Sequence, residues 1–301
     1  MSRPRLAVTL GDPRGIGPEI VARTLALAEV RELCDPVVVG PEGTGVDVAE
    51  SVGPWDPRGD PRQDAAQAGR YAGRAVERAV ELAMSGAVQG IVTAPLDKAA
   101  LLAGGYEDPG HTEMLARLTG SRVAMMLASD RLRVVLATTH IPLSAVPRAL
   151  TAEAIGSVAS VTHDYLARWF DIPAPRIALC ALNPHAGDGG RFGREDDELL
   201  APAARAAGIL GPFPADTVFV RALRGEFDAV IAPYHDVGMT AIKVASFGSA
   251  VNVTLGLPFP RTSPDHGTAL DIAGRRLADP SSFLAALRLC ASIAARALAP
   301  R

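Results

Sequence analysis

Three histidines stand where an apolar segment gives way to a loop. His140 follows "RVVLATT", His185 follows "IALCALNP" and His235 follows "AVIAPY". Their separations, 45 residues (140 to 185) and 50 residues (185 to 235), exceed those of a local metal signature, so only their common place at predicted strand ends suggests a shared site. Three neutral imidazoles with an open coordination position would suit a catalytic divalent metal such as zinc. The residues alone leave open that each histidine is a hydrogen-bonded structural residue.

Lysine is almost absent from the chain. Of 30 basic residues only Lys98 and Lys243 are lysine. Lysine can lose its proton and acts as a compact charge, which arginine cannot do, so its retention in an arginine-rich chain indicates a chemical role. Chance retention of one lysine is the alternative.

Two further segments contain residue types that bind anions or nucleotides. The segment "GDPRGIGPE" is not the GxGxxG dinucleotide fingerprint, but it predicts a tight turn into a helix N-terminus, where backbone N–H groups favour an anion. A plain strand-to-helix turn is the alternative. Near the C-terminus, Arg261 offers a planar fork for a phosphate or carboxylate, among several other polar residues.

The loop "LNPHAGDGGRFGREDDE" combines His185 with four glycines and a charged end, Arg194 to Glu198. Glycines allow the backbone to turn sharply and to approach a ligand closely. Acidic residues are favoured in the first turn of a helix, so Asp196 and Asp197 are expected to cap the helix that follows.

Apolar strands and amphipathic helices alternate along the chain, which predicts an α/β fold with a mostly parallel sheet covered on both faces. The strands "VAMMLAS" and "RVVLATTH" are expected to form a hairpin around Ser129 and Asp130, and residues 43 to 63 are expected to be a loop. Polar loops follow five of the strands, so they should converge on one crevice at the carboxyl ends of the sheet.

The composition is that of a soluble globular protein: 301 residues, 48% hydrophobic, with a net charge of −3. No basic stripe argues for nucleic acid, and no segment reaches the roughly 18 consecutive apolar residues of a membrane span. The three cysteines, Cys34, Cys180 and Cys290, form no CxxC pair and are expected to be small buried hydrophobes. A cytoplasmic location is expected.

Nearly the whole chain resembles one family. The ordered motifs "GDPRGIGPEI", "TAPLDKAAL", "GHTEMLA", "TTHIPL", "LNPHAGDGGRFGRE", "YHDVGMTAIK" and "NVTLGLPFPRTSPDHGTALDIAG" are similar to the 4-hydroxythreonine-4-phosphate dehydrogenase family, which has the isocitrate/isopropylmalate dehydrogenase-like fold. The resemblance implies two α/β/α domains with mostly parallel sheets and an active-site cleft between them. It places a cofactor-side domain at 1-118 plus 245-301 and a metal and dimerisation domain at 119-244.

The resemblance also implies roles for individual residues. It makes His140, His185 and His235 ligands of a divalent metal (Zn, Mg or Co), in a homodimer whose subunits share the active site. The residues implied to contact substrate are His111, Thr112, Lys243, Asn252 and Arg261. Those nominated for NAD or NADP are Gly15, Gly17, His266, Gly267, Thr268 and Asp271. Proton transfer is assigned to Lys243, expected beside the metal, with Lys98 and Asp236 as alternatives.

The implied reaction is the metal-dependent oxidation by NAD(P) of the C3 hydroxyl of 4-phosphohydroxy-L-threonine, followed by decarboxylation, in vitamin B6 biosynthesis. One alternative is a dehydrogenase of 4-phospho-D-threonate or erythronate in sugar-acid catabolism. Two others are a metal-dependent hydrolase or lyase without nicotinamide and a non-catalytic metabolite-binding protein.

Overall fold

The computed structural model of the chain describes residues 3–246 and 248–298, which belong to two compact units. Unit 1 comprises Met1–Ser121 and Leu257–Arg301, and unit 2 comprises Arg122–Gly256. The domain boundaries expected from sequence lie at 118/119 and 244/245.

Unit 1 is an α/β unit. Its strands are β1 (Arg5–Thr9), β2 (Asp35–Glu42), β3 (Glu50–Pro54), β4 (Gly90–Thr93) and β11 (Arg261–Pro264). Its helices are α1 (Gly17–Leu25), α2 (Ala28–Leu33), α3 (Pro61–Met84), α4 (Lys98–Ala103), α5 (His111–Thr119) and α11 (Ser281–Leu298).

The strands of unit 1 run in the order β3-β2-β1-β4-β11, and each neighbouring pair is parallel. Their carboxyl ends therefore meet at one edge. The expectation that residues 43 to 63 form a loop is wrong, because β3 pairs with β2 within this range and α3 begins at Pro61. The strand "ESVGP" is partly exposed along its length and has no apolar run, so its sequence carries no strand signal.

Helices α3 and α4 fix the loop that follows β4. The Asp60 carboxylate caps α3 by accepting from the backbone N–H groups of Arg62 and Gln63. Gly69 in α3 is packed so closely against α4 that a Cβ there would lie 1.7 Å from the Ala100 carbonyl oxygen. This close packing holds α4, which begins at Lys98, against the rest of the unit.

Unit 2 contains the strands β5 (Ala124–Ala128), β6 (Arg133–Leu136), β7 (Ile177–Cys180), β8 (Leu210–Phe213), β9 (Ala229–Ala232) and β10 (Val251–Leu255). Its helices are α6 (Val146–Ala149), α7 (Ala152–Phe170), α8 (Ala201–Ala206), α9 (Ala215–Leu223) and α10 (His235–Ala245). A turn of π-helix, Asp196–Leu200, leads directly into α8.

The strands of unit 2 run in the order β10-β5-β6-β9-β7-β8. The hairpin of β5 and β6 is confirmed as an antiparallel pair, and β10 pairs antiparallel with β5. The neighbours β6, β9, β7 and β8 are parallel, so the carboxyl ends of β6, β9 and β7 lie side by side. Most neighbouring strands in both units are parallel, which confirms the predicted α/β class.

Among the described helices, α11 alone has the length and hydropathy that a membrane span would need. Its buried residues include Phe283, Leu287 and Cys290, and the helix packs against β11 and β4. Packing within unit 1 accounts for this apolar composition.

Candidate active site

Three neighbouring strands of unit 1, β1, β4 and β11, lead into the loops that stood out in the sequence. The segments 10–17, 94–98 and 265–274 follow them directly. From β1 the chain continues to β2 and β3 on one side of β1, and it then returns to form β4 on the other side. The strand order therefore changes direction between β1 and β4. In open α/β sheets such a switch point is where ligands bind.

Three side chains at this edge, Lys98, His111 and Arg261, form a group that is termed the basic pocket. The Arg261 guanidinium is buried, with 1% of the residue exposed, and its Nη2 donates to Oγ1 of Thr93 at 2.5 Å. The Cε of Lys98 lies 3.5 Å from the point where a Cβ on Gly110 would stand, directly before His111. The charges of Arg261 and Lys98 both act on His111, which shows that the three side chains are close together.

The basic pocket combines one neutral donor with a buried positive charge. Burial lowers the pKa of His111 well below its usual range, and the charges of Arg261 and Lys98 lower it further. Burial also lowers the pKa of Arg261, to about 10, so this guanidinium stays charged at neutral pH. The Nε2 of His111 is buried and has no hydrogen-bond partner within the described residues. With the N-terminal N–H groups of α5, where Thr112 lies, these groups suit an anion.

The neutral state of His111 predicts a pH-dependent stability. Because the pKa is lowered in the folded state, the unfolded chain binds a proton below pH ~6.5 that the folded chain does not, and stability falls as pH falls. Urea unfolding at a series of pH values should show the wild type losing up to about 1.4 kcal/mol more than His111→Asn for each pH unit below ~6.5.

The matched control for this measurement is His163→Asn, at a histidine whose side chain is 55% exposed on α7. It should keep the pH dependence of the wild type. Equal slopes for the wild type and His111→Asn would show that His111 is not held neutral.

The two loops nominated for the nucleotide contact each other in unit 1. The backbone N–H of Ile16 donates to the carbonyl oxygen of Thr268 at 3.0 Å. A Cβ on Gly15 would lie 2.7 Å from that same oxygen, and one on Gly17 would lie 2.2 Å from the Leu10 carbonyl oxygen. Packing of the chain on itself therefore requires both glycines, independently of any ligand.

The second of these loops offers groups that suit a ligand. The Nε2 of His266 is buried without a hydrogen-bond partner among residues 3–246 and 248–298. Gly267 beside it is exposed, and no atom lies within 4 Å of the point where its Cβ would stand. Asp271, three residues beyond Thr268, is also exposed. Nδ1 of His266 lies 3.1 Å from the carbonyl oxygen of Gly267 and donates to it, so Nε2 of the neutral ring is an acceptor. An unsatisfied buried acceptor beside open backbone fits a hydroxyl or amino group of a bound nucleotide.

Two of the three strand-end histidines come together in unit 2. The imidazoles of His140 and His235 lie with their ring centroids 5.6 Å apart. Two imidazoles that bind one zinc ion through nitrogens about 2.0 Å from the metal have centroids about 5 Å apart, so the pair fits a shared ion. The Nδ1 of His235 lies 2.7 Å from Oδ1 of Asp236, and this hydrogen bond orients the ring and leaves Nε2 for a metal.

His185 does not join this pair within one chain. Its side chain is 66% exposed, with Nδ1 4.0 Å from Oδ2 of Asp216 and the ring 6.3 Å from that of Phe192. Throughout residues 3–246 and 248–298, no group of three or more His, Cys, Asp or Glu side chains is arranged to hold a metal. One chain thus presents a pair of histidines and a separate third histidine.

Lys243 and Asn252 also lie apart from the histidine pair. Lys243 is exposed, and the eight residues that separate it from His235 along α10 correspond to a rise of about 12 Å. Asn252 on β10 is in register with Leu127, which pairs with Val134 in the first half of β6, whereas His140 follows the carboxyl end of β6. Within one chain Lys243 therefore lies along α10 away from the histidine pair, and its expected place beside a metal stays a prediction.

Sequence reasoning missed several residues that shape these sites. Thr93 accepts the hydrogen bond of Arg261, and its only signal is its place at the end of an apolar strand. Asp12 is fully buried and pairs with Arg14, whose guanidinium also lies 3.7 Å from Asp97 before Lys98. Asp196 and Asp197 lie in the first turn of the helix as expected, but Asp196 makes no cap hydrogen bond, because its carboxylate accepts from the backbone N–H groups of Leu182 and Asn183.

These features define an α/β protein with basic side chains suited to an anion in one unit and a histidine pair at strand ends in the other. Residues 20–290 match the model of the family described as pyridoxal phosphate biosynthetic protein PdxA. The chain belongs to this family, whose curated relatives below are dehydrogenases.

Proteins described as 4-hydroxythreonine-4-phosphate dehydrogenases are similar to this chain. A 4-hydroxythreonine-4-phosphate dehydrogenase of Desulfosudis oleivorans is 42% identical, covering 97% of both chains. One of Xanthomonas oryzae is 51% identical over 211 residues, 68% of this chain and 66% of the relative, so this alignment spans about two thirds of that protein. The crystal structure of the Klebsiella pneumoniae enzyme of that name superimposes with a TM-score of 0.85 at 39% identity, covering 97% of this chain and 99% of that one.

Proposed function

We propose that this chain oxidises the C3 hydroxyl of 4-phosphohydroxy-L-threonine with NAD(P) and a divalent metal, and decarboxylates the product to 3-amino-2-oxopropyl phosphate in pyridoxal phosphate biosynthesis. Family membership supports the reaction class. The observation that carries the substrate class is the basic pocket, since Arg261, His111 and Lys98 together suit a phosphorylated acid.

In this proposal the basic pocket binds and orients the anionic part of the substrate. Arg261 offers a planar fork that can bind two oxygens at once, in a buried place where a charge-assisted hydrogen bond is strong. His111, being neutral, supplies an N–H from Nε2 without adding charge, and the N-terminus of α5 at Thr112 contributes backbone donors. These contacts would fix the position of C3.

The histidine pair, with the hydrogen bond from His235 to Asp236, would hold the divalent metal. Imidazole donors favour zinc or cobalt over magnesium, which prefers oxygen ligands. When bound, such a cation polarises the C3 oxygen and NAD(P) accepts the hydride. The loop of His266, Gly267, Thr268 and Asp271 would hold the nucleotide.

Proton transfer is proposed to fall to a lysine. Lys98 stands in the basic pocket, close to the expected substrate, and Lys243 lies exposed on α10. Asp236 is engaged with His235, which makes it a positioning residue for that ring. One proton leaves the C3 hydroxyl as the hydride leaves C3, and one is added at C2 after CO2 departs.

We further propose that the enzyme is a homodimer in which each metal site combines His140 and His235 with the partner subunit's His185. A groove between α9 and α10 supports this, since it exposes Val220 (46%), Leu223 (37%) and Val244 (82%). Asp216, near His185, and Asp236, bonded to His235, line the same groove. An apolar face that adjoins both histidines suits a second copy of the chain.

The proposal is tested by the absorbance of NADH or NADPH formed by zinc- or cobalt-loaded protein. 4-Phosphohydroxy-L-threonine and 4-phospho-D-threonate are compared side by side, with chelator-treated protein as the control. We expect metal-dependent reduction of the nicotinamide, faster with the former. Preference for the latter would move the enzyme to sugar-acid catabolism. Metal-dependent turnover without reduction would indicate a hydrolase or lyase, and no turnover a binding protein.

A further inference from the structure

Asp196 anchors the backbone that leads from β7 to His185. The carboxylate is fully buried, and both of its oxygens are used. Oδ1 accepts from the N–H of Leu182 at 2.8 Å, and Oδ2 accepts from the N–H of Asn183 at 3.0 Å. The chain is therefore fixed at the two residues that follow Ala181, just before the turn that contains His185.

A second acidic residue holds the same point from its side chain. The Nδ2 of Asn183 donates to Oε2 of Glu195 at 2.8 Å. Hydrogen bonds from its own backbone N–H, then from the side chain of Asn183 and last from the backbone N–H of Arg194 lower the pKa of Glu195, so it accepts as a carboxylate. Two consecutive acids thus bind two consecutive residues.

The turn held in this way is strained. Six consecutive residues, 185–190, have positive φ, and three of them, His185 (φ 53), Ala186 (φ 56) and Asp188 (φ 44), are not glycine. A left-handed conformation costs an L-residue roughly 1–2 kcal/mol, so the turn would relax unless its surroundings fixed it. Asp196 holds the backbone N–H of Asn183 and Glu195 holds its side chain, two residues before this segment begins.

We propose that Asp196, assisted by Glu195, is a positioning residue that holds the left-handed turn and so places the His185 imidazole for metal binding. The inference rests on the proposed metal role of His185. It assigns to Asp196 no contact with substrate or metal. Its effect on metal affinity arises because a preorganised ligand loses less conformational freedom when it binds.

The test is Asp196→Asn, which keeps the shape of the side chain but turns one acceptor into a donor facing a backbone N–H. Metal-free protein is titrated with Co²⁺ and followed by visible absorption. We expect the dissociation constant to rise about 10- to 100-fold, with NADH affinity near that of the wild type. The melting temperature should fall by a few degrees, because one buried N–H loses its acceptor. Asp197→Asn is the matched control, because that neighbouring acid is exposed.

Limited trypsin digestion gives a second readout that needs no metal. Arg191, in the loop after the turn, has a side chain 78% exposed, and cleavage there should be faster in Asp196→Asn than in Asp197→Asn. If Asp196→Asn does not fold, Asn183→Ala removes the contact with Glu195 and should change both readouts in the same direction.

The outcomes separate the inference from the proposed function. Wild-type Co²⁺ affinity and digestion in Asp196→Asn would overturn the positioning role, as would an equal loss of Co²⁺ and NADH affinity. If His185→Ala bound Co²⁺ like the wild type, the metal role of His185 would fail, even where digestion of the Asp196 variant was faster.

Discussion

Arg261→Met should abolish most of the activity while leaving the fold intact. We expect kcat/KM for the phosphorylated substrate to fall roughly 30- to 5,000-fold, since removing one buried charged partner costs about 2–5 kcal/mol. The loss should appear in steady-state kinetics with nicotinamide reduction as the readout. The free energy of unfolding, measured with urea, should change by less than about 2 kcal/mol.

These opposite expectations follow from the burial of the guanidinium. Only 1% of Arg261 is exposed, and burial lowers its pKa to about 10, which shows that the folded protein pays to keep this charge out of water. A methionine of similar reach removes that cost and retains packing, so the fold loses little. The proposed anionic substrate, in contrast, loses its contact with the guanidinium of the basic pocket.

Arg261→Met should also change the pKa of His111. The charge of Arg261 is the largest electrostatic cause, after burial, of the lowered pKa of His111. In Arg261→Met this pKa should rise toward its usual range, and the loss of stability on acidification should become smaller.

Two controls sharpen the test of Arg261. Thr93→Val removes the acceptor of its hydrogen bond but keeps the charge, so it should cost less activity. Arg261→Lys keeps the charge but loses the planar fork, and should fall between the wild type and the methionine variant. A kcat/KM in Arg261→Met within a few-fold of the wild type would remove this residue from substrate binding.

The sequence was sufficient to predict where functional residues gather, because that depends on strand order and direction. Histidines placed after apolar strands were expected at one edge, and β6, β9 and β7 do end side by side. Which imidazoles meet depends on loop conformation, which no residue pattern encodes. The pairing of His140 with His235, and the separation of His185, therefore required coordinates.

The features that the sequence did not reveal have physical reasons of the same kind. The segment from His235 to Lys243 was not predicted as a helix, so the rise along α10 that separates the two could not be foreseen. Asp196 lies in the first turn of its helix, as the sequence predicts, but its carboxylate reaches the N–H of Asn183, 13 residues earlier, a contact made only when the chain folds back. Gly15 and Gly17 suggested close approach of a ligand, and the structure adds a separate reason for both, because the chain's own carbonyl groups exclude a side chain there. Their role in cofactor binding stays a prediction.

A mixture of two inactive variants should regain activity if the metal site is shared between subunits. His185→Ala removes the ligand that stands apart, and His235→Ala removes one member of the pair, so each homodimer lacks a complete site. After mild dissociation and reassociation at equal concentrations, half of the dimers are mixed, and each of these contains one complete site of two. About a quarter of the wild-type activity should return.

The control for this complementation is a mixture of His140→Ala with His235→Ala. Both residues lie in one pair within one chain, so every mixed dimer remains defective at each site, and no activity should return. Co²⁺ bound per dimer offers a measurement independent of turnover, with about one tight site expected in each mixed dimer. Recovery in the control mixture, or none in the test mixture, would mean that His185 does not complete the pair of its partner. The exposed groove of α9 and α10 would then need another explanation, since its apolar residues adjoin both histidine positions.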